Sequence, residues 1–181
     1  MPIAESSGDF QVHGALVCVD GAGVLIVGPS GIGKSECALD LLRRGHRLVA
    51  DDVVELVRGV DGRLKGSAPE RIRYHLEIRG LGIVSAKDLF GLSAVGESGS
   101  VDLLCRLQAP SGVAEYERVG IERSSEQLAG VSLPRVTLPA RPAGSIATLV
   151  EVAARDHLLR AKGLNAARRL DRRIRDEMGT P

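Results

Sequence analysis

Gly28-Pro29-Ser30-Gly31-Ile32-Gly33-Lys34-Ser35 is the stretch that decides how this chain reads. It satisfies the phosphate-binding pattern G-x-x-x-x-G-K-[ST] at every fixed position, and its flanks have the right character. Val24-Leu25-Ile26-Val27 reads as a buried strand and Glu36 to Arg44 as a helix. A strand–loop–helix of this kind offers several backbone N–H groups and a helix N-terminus to the phosphates of a nucleotide. Lys34 supplies a cation for the β/γ-phosphates, and the Ser35 hydroxyl is a candidate Mg²⁺ ligand. A chance glycine turn before a helix is the alternative, and the context argues against it.

Composition narrows the rest. A chain of 181 residues with 44% apolar and 26% charged residues fits one soluble domain with a single sizeable core. The formal net charge of +1 gives no global reason to expect a nucleic-acid or membrane-surface partner. Aromatic residues make up 2% of the chain, too few for base-stacking platforms, so the core must come from Leu, Val, Ile and Ala. Cys18, Cys37 and Cys105 lack metal or redox spacing and read as structural thiols of a reducing cytoplasm. No apolar run is long enough to span a bilayer, and the first residues do not form a signal pattern.

Outward from the loop, residues 15–19 and 24–27 read as a hairpin through Asp20-Gly21-Ala22-Gly23. His13 precedes it; a lone histidine is usually a surface or hydrogen-bonded residue. After the helix and its Gly45 stop, His46 to Ala50 leads as a strand into Asp51-Asp52. Two acids at a strand end after such a loop suit Mg²⁺ binding or proton acceptance from an attacking hydroxyl; a helix cap or solvated turn is the plainer alternative. Residues 53–57 and 64–68 form a second expected hairpin around Asp61-Gly62. Hairpins rule out a purely parallel sheet.

If Leu76 to Gly80 is extended, Glu77 and Arg79 share a face, to serve metal and phosphate or merely to form surface ion pairs. Ser85 to Phe90 reads as a helical turn, 94–100 as loop, 101–107 as a strand and 108–120 as a polar loop. Arg118 in that loop is a candidate arginine finger or a solvated side chain. Two proline-punctuated runs, 131–134 and 135–139, read as edge segments. Arg141 lies in a stiff basic loop, and helices are expected over 146–160 and 164–178. The arginines of the last helix form a solvated face or a dock for an acidic partner or subunit. The expected organisation is a tail (1–11), a P-loop core (12–145) and C-terminal helices (146–181). The fold class is α/β, a P-loop mixed β-sheet with hairpins, flanking helices and a C-terminal helical segment.

Together these stretches resemble the HPr kinase/phosphorylase family, bacterial enzymes acting on a serine of the phosphocarrier HPr. The resemblance rests on His13-Gly14, Gly28 to Ser35 followed by Glu36, Arg44 to Leu48 running into Asp51-Asp52, Leu76 to Gly82, Asp88 to Gly91, and Glu151 to Ala154. It implies an ATP- and Mg²⁺-dependent protein-serine kinase of the phosphotransferase system. It also implies the reverse reaction, phosphorolysis by inorganic phosphate to give pyrophosphate. His13, Lys34, Asp52 and Arg118 match the family's catalytic residues, Asp52 as the acid–base group. Ser35 and Glu77 match its Mg²⁺ ligands, with Asp51, Arg79 and Arg141 auxiliary, and the family implies a hexamer.

Two departures stand out. Family members commonly carry an N-terminal domain, whereas twelve residues precede His13 here, which puts in question regulation or assembly that depends on such a domain. The loop after Arg141-Pro142 reads Ala143-Gly144-Ser145 where a Gly-Arg-Asn-like run is expected, which weakens the case for phosphorolysis. A P-loop small-molecule kinase and a non-catalytic nucleotide-dependent regulator are the competing functional readings.

Overall fold

The computed structural model describes residues 10–109, 116, 118–140 and 144–179. In chain order the elements are β1 (Phe10–Val19), β2 (Ala22–Val27), α1 (Lys34–Arg43), β3 (Arg47–Ala50), β4 (Val53–Arg58) and β5 (Leu64–Ser67). They continue with β6 (His75–Ile78), β7 (Gly82–Ser85), α2 (Ala86–Phe90), β8 (Ser98–Ser100), β9 (Leu103–Gln108), β10 (Ser124–Leu128), β11 (Val131–Pro139), α3 (Ile146–Ala161) and α4 (Ala166–Met178).

The main sheet runs β10-β11-β9-β2-β1-β4-β5-β8, with β3 also paired to β1; β6 and β7 form a separate ribbon. The sheet is mixed, because β1 pairs antiparallel with β2 while β2–β9 and β9–β11 are parallel. The first hairpin turns at Asp20 and Gly21, with φ 51 and 94, since Val19 pairs with Ala22. Two left-handed residues match the twist of the strands they join.

Strand alternation splits the core in two. Ala15, Val17, Val24, Ile26, Leu103 and Cys105 face α1 and α3, whose Cys37, Leu41, Val150 and Ala154 cover them. Leu16, Leu25, Val27 and Leu104 face the opposite way and are covered by Val54, Leu56, Leu64 and Leu133, because the two ends of the sheet curl over its back. Gly66 lies within this fold-over, where a Cβ would sit 2.5 Å from Leu16 Cδ2. The Cys37 and Cys105 thiols are pushed up to about 12 by burial, as suits inert core residues.

Three expectations need correction, and one strand was not foreseen. Residues 98–100 are a strand rather than loop, because β8 closes over β5. Residues 124–128 form β10, which their polar Ser-Ser-Glu-Gln run conceals. The two proline-punctuated runs are one strand, β11, and it is internal between β10 and β9. It tolerates its prolines because Pro134 precedes the stretch paired to β9, which starts at Arg135, and Pro139 ends the strand. Arg79 lies in the turn after β6 and does not share a strand face with Glu77.

α3 is fastened to α1 by a polar lattice. Ser145 Oγ donates to Asp40 Oδ2 at 2.6 Å, Arg44 bridges Asp40 and Glu151 at 3.1 Å each, and buried His46 lies 3.3 Å from Glu151. The Ser145 hydroxyl, with Arg44, holds the Asp40 carboxyl below the usual carboxylate range. α4 by contrast buries nothing, and Leu170, Ile174 and Met178 stand exposed. Among the described residues no helix is long and apolar enough to cross a membrane.

The tightest position among the described glycines is Gly23, clamped by Asp102, whose carboxylate accepts from Gly23 N at 2.7 Å and whose N–H donates to Gly23 O at 2.8 Å. A Cβ there would sit 1.6 Å from the Ser100 carbonyl oxygen. Gly23→Ala should therefore cost about 3 kcal/mol of stability through forced backbone shifts. Urea denaturation tests this; a variant as stable as the parent would contradict the packing described.

Candidate active site

β2 delivers the chain into the Gly28–Gly33 turn, and α1 begins at Lys34. The turn needs glycine at two tight points. A Cβ on Gly28 (φ 155) would lie 2.7 Å from Leu107 O, and one on Gly31 (φ 74) would lie 2.8 Å from Arg79 Nη2. The second contact also places the Arg79 guanidinium directly over the loop. Lys34 is buried, and its Nζ donates to Gly28 O and Pro29 O at 3.0 Å each. Burial pulls the ammonium pKa down, with Asp51, Asp52 and Glu36 opposing.

Asp51 and Asp52 interrupt what is otherwise one chain path along β1. Leu16 pairs with Ala50 and His13 with Val53, so the two acids lie opposite Gly14 and Ala15. Asp52 takes a left-handed φ of 68, and Gly14 N donates to its carbonyl at 3.1 Å. The kink sends consecutive carboxylates to different places. Asp51 turns inward, where Ser35 Oγ donates to its Oδ1 at 3.0 Å. Asp52 turns out to solvent, where His13 Nδ1 lies 3.1 Å from its Oδ1 and 2.9 Å from its carbonyl oxygen.

The environments of the two acids differ accordingly. Asp51 is 4% exposed and Asp52 is 57% exposed on its side chain. Burial pushes the Asp51 carboxyl up to about 6, against the bond from Ser35 and the backbone N–H groups of Asp52 and Glu77. Its Oδ2 is buried without a hydrogen-bond partner of ordinary geometry. An orphaned carboxylate oxygen beside a serine hydroxyl is a donor set that fits a hard cation such as Mg²⁺. Among the described residues no three His, Cys, Asp or Glu side chains form a metal cage, so phosphate or water oxygens would have to complete the coordination.

Two cavities flank the His13–Asp52 pair. The larger, about 660 Å³, opens on the Asp52 side between Gln11, Glu55, Glu70 and Arg71. The smaller, about 390 Å³, opens on the His13 side against Gly28, Pro29 and Arg106. The structure thus assembles the loop, Lys34, Ser35, Asp51, Asp52, His13 and Arg79, with β6 close enough for the Glu77 N–H to bear on Asp51.

It does not set Arg118 beside them. Gly120 and Ile121, two and three residues further on, are held through their carbonyls by Arg160, whereas Ile146, which begins α3, packs 3.7 Å from a Cβ built on Gly33. Fourteen helical residues span about 21 Å. Arg141 lies outside the described residues. Sequence reasoning missed Arg106, although a lone cation inside the apolar Leu103–Leu107 run was a usable signal.

Fold and site together define a mixed α/β protein with a glycine loop and paired acids at the ends of its central strands. A family model described as HPr Serine kinase C-terminal domain matches residues 5–174, and the chain belongs to that family. It is 46% identical over 164 residues to the HPr kinase/phosphorylase of Geobacter sulfurreducens, covering 91% of this chain and 51% of that protein. Against the HPr kinase/phosphorylase of Geobacillus thermodenitrificans the identity is 47% over 165 residues, covering 91% and 53%. The chain spans about half the length of the curated relatives it matches. The structure described as the HPr(Ser) kinase/phosphatase from Coxiella burnetii superimposes with a TM-score of 0.78 at 34% identity, covering 84% of this chain and 93% of that one.

The raised Asp51 pKa has a stability consequence. Because the folded value lies above the unfolded one, ionising Asp51 destabilises the metal-free protein as pH rises from about 4 to about 6. Asp51→Asn should stabilise the metal-free protein by up to about 3 kcal/mol above pH 7, with the gain vanishing below about pH 4. Denaturant titrations at pH 4 and pH 7.5 measure this; a variant less stable than the parent at pH 7.5 would refute the unpaired-carboxylate account.

Proposed function

We propose that this chain is the catalytic domain of an ATP- and Mg²⁺-dependent kinase of a serine on HPr, which also runs the reverse phosphorolysis. The observation that carries the reading is the division of labour at one kink, with Asp51 bonded to Ser35 on the donor side and Asp52 bonded to His13 on the acceptor side. The flanking cavities leave the acceptor side open to a hydroxyl borne on a macromolecule.

Backbone N–H groups of the loop hold the phosphates of ATP, and Lys34 exchanges the Gly28 and Pro29 carbonyls for phosphate oxygens. Arg79 closes over the loop from the other side. Ser35, Asp51 and, by family resemblance, Glu77 would hold Mg²⁺, which when bound neutralises charge building on the transferring phosphoryl group. Asp52, oriented by His13, takes the proton from the serine hydroxyl as its oxygen bonds to the γ-phosphorus and the bond to ADP breaks. In reverse, inorganic phosphate in the loop attacks the phosphorus of phosphoserine. The bond to the serine oxygen breaks, Asp52 returns its proton, and pyrophosphate leaves.

Arg118 stands toward the far end of α3 from its own loop, so in this reading it serves the loop of a neighbouring copy in a homo-oligomer such as the hexamer of the family resemblance. Mixing Lys34→Ala with Arg118→Ala protein should then restore activity; inactive mixed oligomers would remove that assignment.

The kinase reading is tested with γ-labelled ATP and purified HPr. Label should move to HPr, and Asp52→Asn should lower turnover by about 10²–10⁴-fold while ATP affinity stays within about twofold. Transfer of label to a metabolite with HPr unlabelled would favour a small-molecule kinase. An Asp52→Asn protein with unimpaired function would favour a nucleotide-dependent regulator.

A further inference from the structure

The smaller cavity beside His13 contains chemistry that the mechanism above does not use. Its floor is apolar, from Val12, Val27, Leu104 and Leu128, and its wall is the backbone of Gly28 and Pro29. Among the described residues lining it, Arg106 is the fixed cation and Glu126 the anion. Arg106 sits on β9 directly beside Val27, the last residue before the loop. Its side chain is 41% exposed and bonds through Nη2 to Glu126 Oε1. Glu126 is shared, because Arg135 Nη1 lies 3.3 Å from its Oε2. Two guanidinium groups therefore stand against one carboxylate, and Arg135 Nε is itself buried without a partner. On the facing rim, His13 commits Nδ1 to Asp52, which leaves Nε2 as the ring nitrogen available to the cavity.

We propose that this cavity is a phosphoryl subsite on the acceptor side of the loop, with Arg106 as its recognising cation and Glu126 as the latch that holds Arg106 in reserve. The proposal rests on the reverse reaction described above. Arg106 can turn from Glu126 to a phosphoryl group without stranding a buried charge, because Arg135 keeps Glu126 neutralised. A guanidinium presents a planar fork of donors that suits phosphate oxygens. The ligand is the phosphoryl group of phosphoserine-HPr or free inorganic phosphate. Unphosphorylated HPr offers the subsite nothing.

The test is a comparison of signs. Calorimetric titration with phosphoserine-HPr, in the absence of phosphate and pyrophosphate, should give about tenfold weaker binding for Arg106→Gln and tighter binding, by about threefold, for Glu126→Gln. Binding in a parallel titration with unphosphorylated HPr should change by less than about 1.5-fold in either variant. An ion pair that only braces β9 against β10 predicts that both variants bind alike or both bind worse, and either result would overturn the proposal.

Inorganic phosphate, titrated alone, separates the sources. Two binding events in the parent and one in Arg106→Gln would assign the cavity to free phosphate. One event in both, with unaltered phosphoserine-HPr binding, would abolish the subsite. If the parent protein binds neither form of HPr, the functional reading fails, and the phosphate titration still decides the subsite by itself.

Discussion

The antiparallel pairing of β1 with the chain from Arg47 to Arg58 is the constraint on which the rest of the site depends. Pairing along an edge this long would ordinarily alternate side chains evenly between the two faces. It is broken at Asp51-Asp52, where Asp52 adopts φ 68 and the strand resumes at Val53. A left-handed aspartate costs roughly 1 kcal/mol relative to extended backbone. In return, neighbouring carboxylates reach opposite sides of the strand end. One meets the first turn of α1 and the other meets His13. Without the kink, regular alternation would send one of the two acids to the back of the sheet.

Electrostatic strain is concentrated in the same few residues. Lys34 is buried with its ammonium satisfied by two loop carbonyls, and Asp51 is buried with one oxygen unpaired. Neither arrangement maximises stability. Both suit a site whose partners arrive with the ligand, since phosphate oxygens can accept from Lys34 and a hard cation can satisfy Asp51. Binding energy is then drawn from groups the fold has already taken out of water. The lattice of Asp40, Arg44, His46, Glu151 and Ser145 works in the other direction. Its polar groups answer one another and hold α1 against α3, so the helix that carries the loop has a fixed base.

The cavities on either side of His13 and Asp52 follow from the curled sheet. β4 and β5 fold over the back from one end and the β10–β11 ribbon from the other, leaving β1 as the ridge between them. His13 gains its position from that ridge, and Arg106 gains its access to the loop because β9 runs parallel to β2 beside it. A site built on adjoining strand ends of one sheet is more rigid than one built on loops, which matters wherever two reacting groups must be aligned.

Local chemistry was legible in the chain itself. The strand–glycine–helix pattern of Val24 to Arg44, the turn residues Asp20-Gly21 and Asp61-Gly62, and the period of Ile146 to Arg160 each depend on neighbours within a few positions, and each element formed close to where its pattern set it. The identity of the acids was equally visible. What sequence could not distribute was their roles in space: that Asp51 would be the buried partner of Ser35, that Arg79 would leave its strand and lie over Gly31, and that Arg118 would sit toward the other end of α3. Those depend on a φ value, a turn and a helix axis. Strands β8 and β10 escaped notice for a related reason, since Ser-Gly-Ser and Ser-Ser-Glu-Gln-Leu have little β-propensity and are extended only because the sheet offers them partners. Arg106 and Glu126 are far apart in sequence on strands that meet through β11 in the folded sheet, so their juxtaposition exists only in the tertiary structure.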